Sequence, residues 1–335
     1  MTPMLGIMAS AGKTMGSYIA VAHGTTPFIS AYPWSAGFGT KYANPATLPA
    51  SQGDSVAFNP AGTAIAVAHV SSPNISAYPW SAGFGTKYAD PATLPGSAGN
   101  GVAFNPAGTV IAVVHGASPY INAYPWSAGF GTKYADPATL PTGTSNGVAF
   151  NPAGTVIAVA HNITPFISAY PWSAGFGTKY ANPATLPLIA GTGVAFNPAG
   201  TVIAVAHSSG AYINAYPWSA GFGTKYADPA TLPTGIATSV AFNPAGTAIA
   251  VAHTTTPYIS AYPWSAGFGT KYANPATLPT GNATSVAFNP AGTVIAVAHG
   301  ASPYISTYPW SAGFGTKYAN PATLPTGTGN SVAFI

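Results

Sequence analysis

The sequence predicts an all-β fold, a seven-bladed β-propeller whose blades each contain four short antiparallel strands. Three observations predict it: a 46-residue repeat, short β-branched runs within each repeat, and Gly or Pro between the runs. The repeat is marked by evenly spaced tryptophans, Trp34, Trp80, Trp126, Trp172, Trp218, Trp264 and Trp310. We expect residues 14–335 to form the propeller and residues 1–13 to form a non-repeated leader.

One repeat shows how the strands are predicted. Residues 56–58 form a short apolar strand a, and the Asn-Pro-Ala-Gly turn at 59–62 separates it from strand b at 63–69. Strand b and strand c, at 74–78, alternate large and small residues with the period of two that is typical of strands. A weaker strand d fits residues 85–89, before prolines break the chain.

The two ends of the array predict how the ring closes. The repeats start with a strand b at residues 18–23 and finish with a strand a at residues 331–335. One blade must therefore combine the C-terminal strand with the N-terminal strands. This pairing removes the open sheet edge that a linear array would leave.

Composition excludes several classes of protein. A hydrophobic fraction of 47% with only 4% charged residues excludes a disordered chain, and the lack of cysteine excludes disulfides and thiolate zinc sites. No apolar run approaches the length of a membrane span, about 20 residues, and the leader has no basic residue before Lys13, unlike a signal peptide. The few dispersed lysines do not form a nucleic-acid footprint.

The titratable residues do not predict catalysis or metal binding. One histidine ends each strand b, too far from its copies to share a metal ion, so we expect these histidines to bond to turns. Asp90, Asp136 and Asp228 share a repeat position with asparagines, which indicates a turn role. Asp54 is isolated, and one carboxylate provides no acid–base pair. The sequence therefore predicts no enzyme, catalytic residue, metal or cofactor.

The aromatic residues that follow the b–c loops are the candidate binding residues. A ring near a loop can stack on a sugar or fill a pocket of a partner, although packing between blades is the competing explanation. The set is interrupted by Asn74 and consists of Phe28, Tyr120, Phe166, Tyr212, Tyr258 and Tyr304.

Differences between the repeats collect in the b–c and d–a loops. In a four-stranded meander these two loops emerge on the same end of the disc, so the variable residues are predicted to share one face. Such a face suits recognition, because loops on a rigid scaffold commonly carry binding. The competing explanation, which we favour, is drift where packing imposes no constraint.

Two strings carry a resemblance to known families. Val-Ala-Phe-Asn-Pro-Ala-Gly-Thr at 56–63 resembles the strand–turn signature of WD40-like and YncE-like blades, but Pro79-Trp80 replaces the usual Trp-Asp ending. The string Tyr-Pro-Trp-Ser-Ala-Gly-Phe-Gly-Thr-Lys-Tyr-Ala resembles repeats of propeller proteins of tailed bacteriophages, and residues 4–8 resemble the starts of phage virion proteins. These resemblances imply a propeller located in a virion, or otherwise a soluble protein.

From these features we expect a non-enzymatic structural or interaction module that displays its variable loop face. The phage resemblance implies capsid decoration or a tail-associated role, with the leader docking to other virion proteins through Leu5 and Ile7. The alternative is a carbohydrate-binding propeller, a secreted lectin or one that attaches to host-surface glycans. An engineered or recently amplified repeat also fits the near-identical units.

Overall fold

The computed structural model describes residues 17–335, which form seven antiparallel sheets of three strands each. The innermost strands are β3 (Gly53–Phe58), β6 (Gly99–Phe104), β9 (Ser145–Phe150), β12 (Gly191–Phe196), β15 (Ala237–Phe242), β18 (Ala283–Phe288) and β21 (Gly329–Phe334). The middle strands are β1 (Ser17–His23), β4 (Ala64–His69), β7 (Val110–His115), β10 (Val156–His161), β13 (Val202–His207), β16 (Ala248–His253) and β19 (Val294–His299). The outer strands are β2 (Ile29–Trp34), β5 (Ile75–Pro79), β8 (Ile121–Pro125), β11 (Ile167–Pro171), β14 (Ile213–Pro217), β17 (Ile259–Pro263) and β20 (Ile305–Pro309).

The sheets are blades, numbered I to VI from β3–β4–β5 to β18–β19–β20, and blade VII consists of β21, β1 and β2. Each inner strand contacts the inner strands of the two flanking blades, and β21 contacts β3. The predicted closure is confirmed, because Val332 of β21 lies opposite Val21 of β1 in an antiparallel pair. Among residues 17–335, no helix is long and apolar enough to cross a membrane.

The predicted fourth strand does not form, and blades of four strands are not confirmed. After the outer strand of blade I the chain makes a single bridge between Trp80 and Phe84, and the Tyr88 amide donates to the Ala77 carbonyl at 2.9 Å. Pro79 has no N–H to donate, and Gly85 turns so closely over it that a Cβ at Gly85 would lie 3.0 Å from the proline Cβ. The segment therefore covers the outer strand without extending the ladder.

The a–b turn is held by its asparagine. In blade I the side-chain Oδ1 of Asn59 accepts hydrogen bonds from the amides of Thr63 and Ala64, each at 2.8 Å. Gly62 completes the turn at a positive φ of 62°, a conformation in which a side chain is strained. The local sequence thus fixes the turn before any contact between blades is made.

The core lies between the blades, where large side chains of one sheet face small side chains of the next. Ala66 and Ala68 of blade I pack in one cluster with Ile111, Tyr124 and Trp126 of blade II. Small side chains opposite large ones allow wedge-shaped neighbours to pack closely. The leader residues Leu5 and Ile7 lie outside the described residues, so their predicted role stays a prediction.

Candidate active site in the axial pocket

The second residue of every inner strand lies on the axis of the ring. These residues line an axial pocket of about 180 Å³ together with the residue that follows each of them. Going around the ring they are Asp54, Asn100, Asn146, Thr192, Thr238, Thr284 and Asn330. Carboxylate and amide groups therefore occupy blades VII, I, II and III, and hydroxyl groups occupy blades IV, V and VI. A nearly repeated sequence thus forms a chemically two-sided pocket.

Six of these axial side chains tie adjacent blades together. Each donates to the backbone carbonyl that begins the next inner strand, as in the 2.9 Å bond from Asn100 Nδ2 to the Ser145 oxygen. The six bonds are 2.5–2.9 Å long and run from Asn100, Asn146, Thr192, Thr238, Thr284 and Asn330. The axial ring is therefore a cooperative belt of inter-blade hydrogen bonds.

Asp54 is the one position that breaks this belt. An ionised carboxylate has no proton to donate, and the Gly99 carbonyl, which occupies the corresponding place, receives no such bond from it. Instead, Asp54 Oδ1 accepts a 2.7 Å hydrogen bond from Gln52 Nε2. Burial raises the pKa of Asp54 above its usual value, and the Gln52 hydrogen bond opposes that rise. A partly desolvated carboxylate therefore faces an otherwise uncharged pocket.

The opposite side of the pocket carries backbone groups and no charged side chain. In blade I the Ser55 hydroxyl accepts a 3.2 Å hydrogen bond from the amide of Val102 in blade II. Glycine replaces this serine in blades II, III and IV, so three valine amides lack that acceptor: Val148, Val194 and Val240. Inner strands approach so closely there that a Cβ on Gly147 would lie 3.0 Å from the Gly193 Cα. Valine N–H groups beside the pocket thus have a glycine and not a serine hydroxyl next to them.

The pocket lies at the end of the ring that carries the variable loops. Asp54 immediately follows the d–a loop, which contains Ser51. The Ser71 amide of the neighbouring b–c loop donates a 2.7 Å hydrogen bond to Ser51 Oγ. The Val70 amide likewise donates to the Gln52 carbonyl at 3.3 Å. The two variable loops thus meet on one face, at the end of the ring where Asp54 lies.

The aromatic residues predicted to bind a ligand do not meet in one site. Each of the six follows its own b–c loop, is half-buried, and is absent from the lining of the axial pocket. Their φ values of 63–69° place them in the left-handed region, which Asn74 occupies in blade I at 68°. Tyr212 and Tyr258 pack against the inter-blade core. A binding role for these residues stays a prediction.

Four of the seven histidines bond to a turn carbonyl, as the sequence predicts, whereas His207 has no hydrogen-bond partner on either ring nitrogen. His69 Nδ1 donates to the Ser71 carbonyl at 2.8 Å, and its Nε2 accepts from Ser76 Oγ at 3.0 Å. All seven histidines are buried, and burial lowers the pKa of His23 and His161 to about 4. Their neutral form is therefore part of the folded structure.

No protein-family model and no curated protein matches the sequence. A candidate 6-phosphogluconolactonase from Bacteroides uniformis has a similar structure, with a TM-score of 0.71 over 96% of this chain and 99% of that chain, at 14% identity. The chain is a β-propeller.

Two further propellers show the same similarity. A periplasmic gluconolactonase from Pseudomonas aeruginosa gives a TM-score of 0.70 at 13% identity, covering 95% of this chain and 99% of that chain. A protein from Lactobacillus plantarum gives a TM-score of 0.71 at 16% identity, covering 96% of this chain and 100% of that chain. At these identities the similarity shows the fold, and chemistry has to be argued from the pocket.

These matches correct the function expected from the sequence. Propellers named for lactonases are among the matched structures, which contradicts the expectation of a non-enzymatic virion module, a lectin or any other non-enzyme. The WD40-like, YncE-like and phage resemblances, and a virion location, gain no support. The strings that suggested them encode strand and turn geometry that unrelated propellers can share, so they carried information on fold and not on function.

The sequence-based expectation assigned no catalytic role to Asp54, because Asp54 was considered as an isolated carboxylate. Comparison of the second residue of each strand a would have found it, since this position holds only Asn or Thr in the other six repeats. A single carboxylate among neutral copies of the same position is a signal that the repeat itself provides.

Because Asp54 interrupts the belt of inter-blade hydrogen bonds, we expect a residue that can donate at this position to stabilise the fold. In Asp54→Asn the amide can donate to the Gly99 carbonyl as Asn100 does to Ser145, and we expect a gain in unfolding free energy of about 1 kcal/mol at pH 7. The gain should shrink as the pH falls, because the protonated Asp54 of the wild type, whose folded pKa is raised, can then donate as well. Urea unfolding at several pH values measures this difference, and a destabilised variant at pH 7 would contradict it.

Proposed function

We propose that the axial pocket hydrolyses a small uncharged sugar lactone and that Asp54 is its general base. The observation that carries this proposal is the single carboxylate in an axial ring of neutral amides and hydroxyls, with a pKa raised by burial. A raised carboxylate pKa brings a base closer to the operating pH, where proton transfer is most effective. The names of the matched lactonase propellers support the choice of reaction.

The size and polarity of the pocket support a small polyol as the substrate. A volume of about 180 Å³ is below that of pockets for drug-sized ligands, about 300–1,000 Å³. Its amide and hydroxyl groups can exchange hydrogen bonds with sugar hydroxyls, and the glycine sector leaves backbone N–H groups beside them. The pocket therefore suits a molecule with several hydroxyl groups and one carbonyl.

The absence of cations from the lining argues for an uncharged lactone over a phosphorylated one. Phosphate recognition ordinarily uses Arg or Lys, and the chain has no arginine. The lysines of residues 17–335 lie on the outer segments instead, where Lys87 pairs with Asp90. A phosphate in the axial pocket would therefore meet the Asp54 carboxylate without a compensating charge, which opposes binding.

The proposed reaction needs one base and one oxyanion site. The Asp54 carboxylate takes a proton from a water molecule as the water oxygen bonds to the lactone carbonyl carbon. Backbone N–H groups of the glycine sector, at Val194 or Val240, then hold the negative oxygen of the tetrahedral intermediate. As the intermediate collapses, the bond between the carbonyl carbon and the ring oxygen breaks. Asp54 returns its proton to that oxygen, and an open-chain hydroxy acid leaves.

The test compares initial rates of acid release from glucono-δ-lactone, measured by titration at constant pH and corrected for the rate in buffer alone. We expect the wild type to accelerate hydrolysis and Asp54→Asn to lose about 10²–10⁴-fold of that acceleration, the usual contribution of a general base. Asp90→Asn is the matched control, because the same repeat position is Asn44 in another unit. It should retain the wild-type rate.

Three outcomes would overturn the proposal or a part of it. A wild-type rate equal to that of buffer would exclude hydrolysis of this lactone class, and calorimetry with gluconate would show whether the pocket only binds polyols. An equal loss of rate in Asp54→Asn and Asp90→Asn would show that the change is unrelated to the axial carboxylate. A faster reaction with a 6-phosphorylated lactone would contradict the preference for an uncharged substrate.

A further inference from the structure

Gln52 is the residue that bonds to the axial carboxylate. Its Nε2 donates to Asp54 Oδ1 at 2.7 Å, and no other group of residues 17–335 donates to either oxygen of this carboxylate. Gln52 is also the only glutamine in the chain, and the same repeat position holds Ala, Thr, Ile or Asn in the other units. The one carboxylate of the axial ring and the one glutamine of the chain therefore occur together, two residues apart.

The backbone between the two residues explains why their side chains meet. Gly53 separates them, and a Cβ at this glycine would lie 2.6 Å from the Phe28 carbonyl oxygen of blade VII. The pairing of β3 with β4 shifts register between Gly53 and Ser55, so Asp54 is the extra residue of a β-bulge. A bulge re-aims a side chain out of the regular ladder. The glycine and the bulge thus bring the Gln52 amide against the carboxylate.

Contacts with two loops locate the Gln52 amide. The Val70 amide, in the b–c loop of blade I, donates to the Gln52 carbonyl at 3.3 Å. On the other side, a Cβ at Gly24, in the b–c loop of blade VII, would lie 3.8 Å from Gln52 Oε1. The side-chain oxygen therefore lies near blade VII, and the side-chain nitrogen is directed at Asp54.

We propose that Gln52 is the positioning residue of the axial site, which holds Oδ1 of Asp54 and leaves Oδ2 as the atom that accepts the proton of water. This inference rests on the proposed role of Asp54 as general base. Because Oδ2 receives no hydrogen bond from residues 17–335, it is the more basic oxygen of the carboxylate. Gln52 does not line the pocket, so it acts through Asp54 and not on the substrate.

The Gln52 bond has two separable effects on the base. A hydrogen bond to the ionised carboxylate favours that form, so removal of the bond raises the pKa of Asp54 further. The bond also fixes the orientation of the carboxylate. Without it the carboxylate rotates away from the productive geometry, and the rate falls although substrate binding is unchanged.

Carbon NMR of the aspartate carboxyls measures the first effect without any lactone. The chain has four aspartates and no glutamate, so labelling aspartate with ¹³C gives four side-chain carboxyl signals. The signal that is missing from Asp54→Asn belongs to Asp54. We expect Gln52→Ala to raise the pKa of Asp54 and Gln52→Lys to lower it, because lysine supplies a donor and a positive charge. The titration covers the pH range in which circular dichroism shows a folded propeller.

The rate of glucono-δ-lactone hydrolysis measures the second effect. We expect Gln52→Ala to lower kcat about tenfold with KM unchanged, and the acidic limb of the pH profile to move with the carboxyl pKa. Gln52→Lys should retain more of kcat, because it keeps a donor. Asn282→Ala is the matched control, since this exposed amide has the same repeat position, two residues before Thr284. It should retain the wild-type kcat and the wild-type pKa of Asp54.

The outcomes separate this inference from the proposed function. An Asp54 pKa that is the same in Gln52→Ala and in the wild type would overturn the positioning role. An equal loss of kcat in Gln52→Ala and Asn282→Ala would overturn it too, because a general effect on the loop face would then explain the loss. A wild type that does not hydrolyse the lactone would overturn the proposed function, whereas the carboxyl titration would still decide whether Gln52 holds Asp54.

Discussion

The propeller is expected to unfold cooperatively as the pH is lowered from about 6.5 towards 4, with an uptake of several protons. Burial lowers the pKa of His23, His161, His207, His253 and His299 to about 4 in the folded state. A base whose folded pKa is below its unfolded value of 6.5 stabilises the fold fully above pH 6.5. That contribution is lost as the pH falls to the folded pKa.

The structural cause is burial of the neutral imidazole. In His299, Nδ1 donates to the Ala301 carbonyl at 2.9 Å while Nε2 accepts from Ser306 Oγ at 3.0 Å. Protonation places a hydrogen on Nε2, so the serine can no longer donate to it, and it leaves a charge in a buried site.

The size of the effect follows from the pKa difference. One pKa unit corresponds to 1.36 kcal/mol, so each of these five histidines contributes about 3 kcal/mol that is lost by pH 4. Their sum matches the total stability of ordinary proteins, about 5–15 kcal/mol, and unfolding should therefore precede complete protonation. The lowered pKa of His69 and His115 acts in the same direction.

Urea unfolding at a series of pH values measures this prediction. The slope of unfolding free energy against pH gives the number of protons taken up, which we expect to reach several between pH 6 and 5. The Asp54 carboxyl acts in the opposite sense, because its folded pKa is raised, but it is one group against seven histidines. A stability that stays constant down to pH 4 would show that the histidines are not held neutral by the fold.

Truncation of one repeat tryptophan is expected to cost about 3–5 kcal/mol, the usual loss for Trp→Ala in a core. Trp126 is 5% exposed and joins two blades. Its ring lies edge-on to Tyr88 of the preceding unit at 5.3 Å and to Phe104 and Phe130 of its own unit at 5.2 Å. Aromatic pairs in such geometry contribute beyond their buried area. Trp126→Ala therefore removes the aromatic contact that couples one blade to the next.

Equilibrium urea unfolding compares Trp126→Ala with a surface control. Leu94→Ala changes a side chain that is 40% exposed, and we expect its effect to stay within about 0.5 kcal/mol. Similar losses in the two variants, or a loss below about 1 kcal/mol for Trp126→Ala, would show that the tryptophan is not a core residue. Because a closed ring couples every blade to two neighbours, the transition should remain a single step for the whole propeller.

The sequence by itself determined the number of blades, three strands of each blade, the a–b turn and the closure of the ring. These features depend on local information. Alternation in strand b, the hydrogen bonds of Asn59 to its own turn, and the Gly62 conformation all act within a few residues. The strand d prediction failed because Pro79 and Gly85 allow the chain to cover the outer strand without pairing along it.

The tertiary structure alone decided the axial pocket. Asp54 and Asn330 are 276 positions apart, and only closure of the ring places both on the axis. The carboxylate then faces neutral side chains from every other repeat, a relation that no local pattern encodes. Strand and turn propensities are properties of neighbouring residues, whereas a site is a property of residues that the fold brings together.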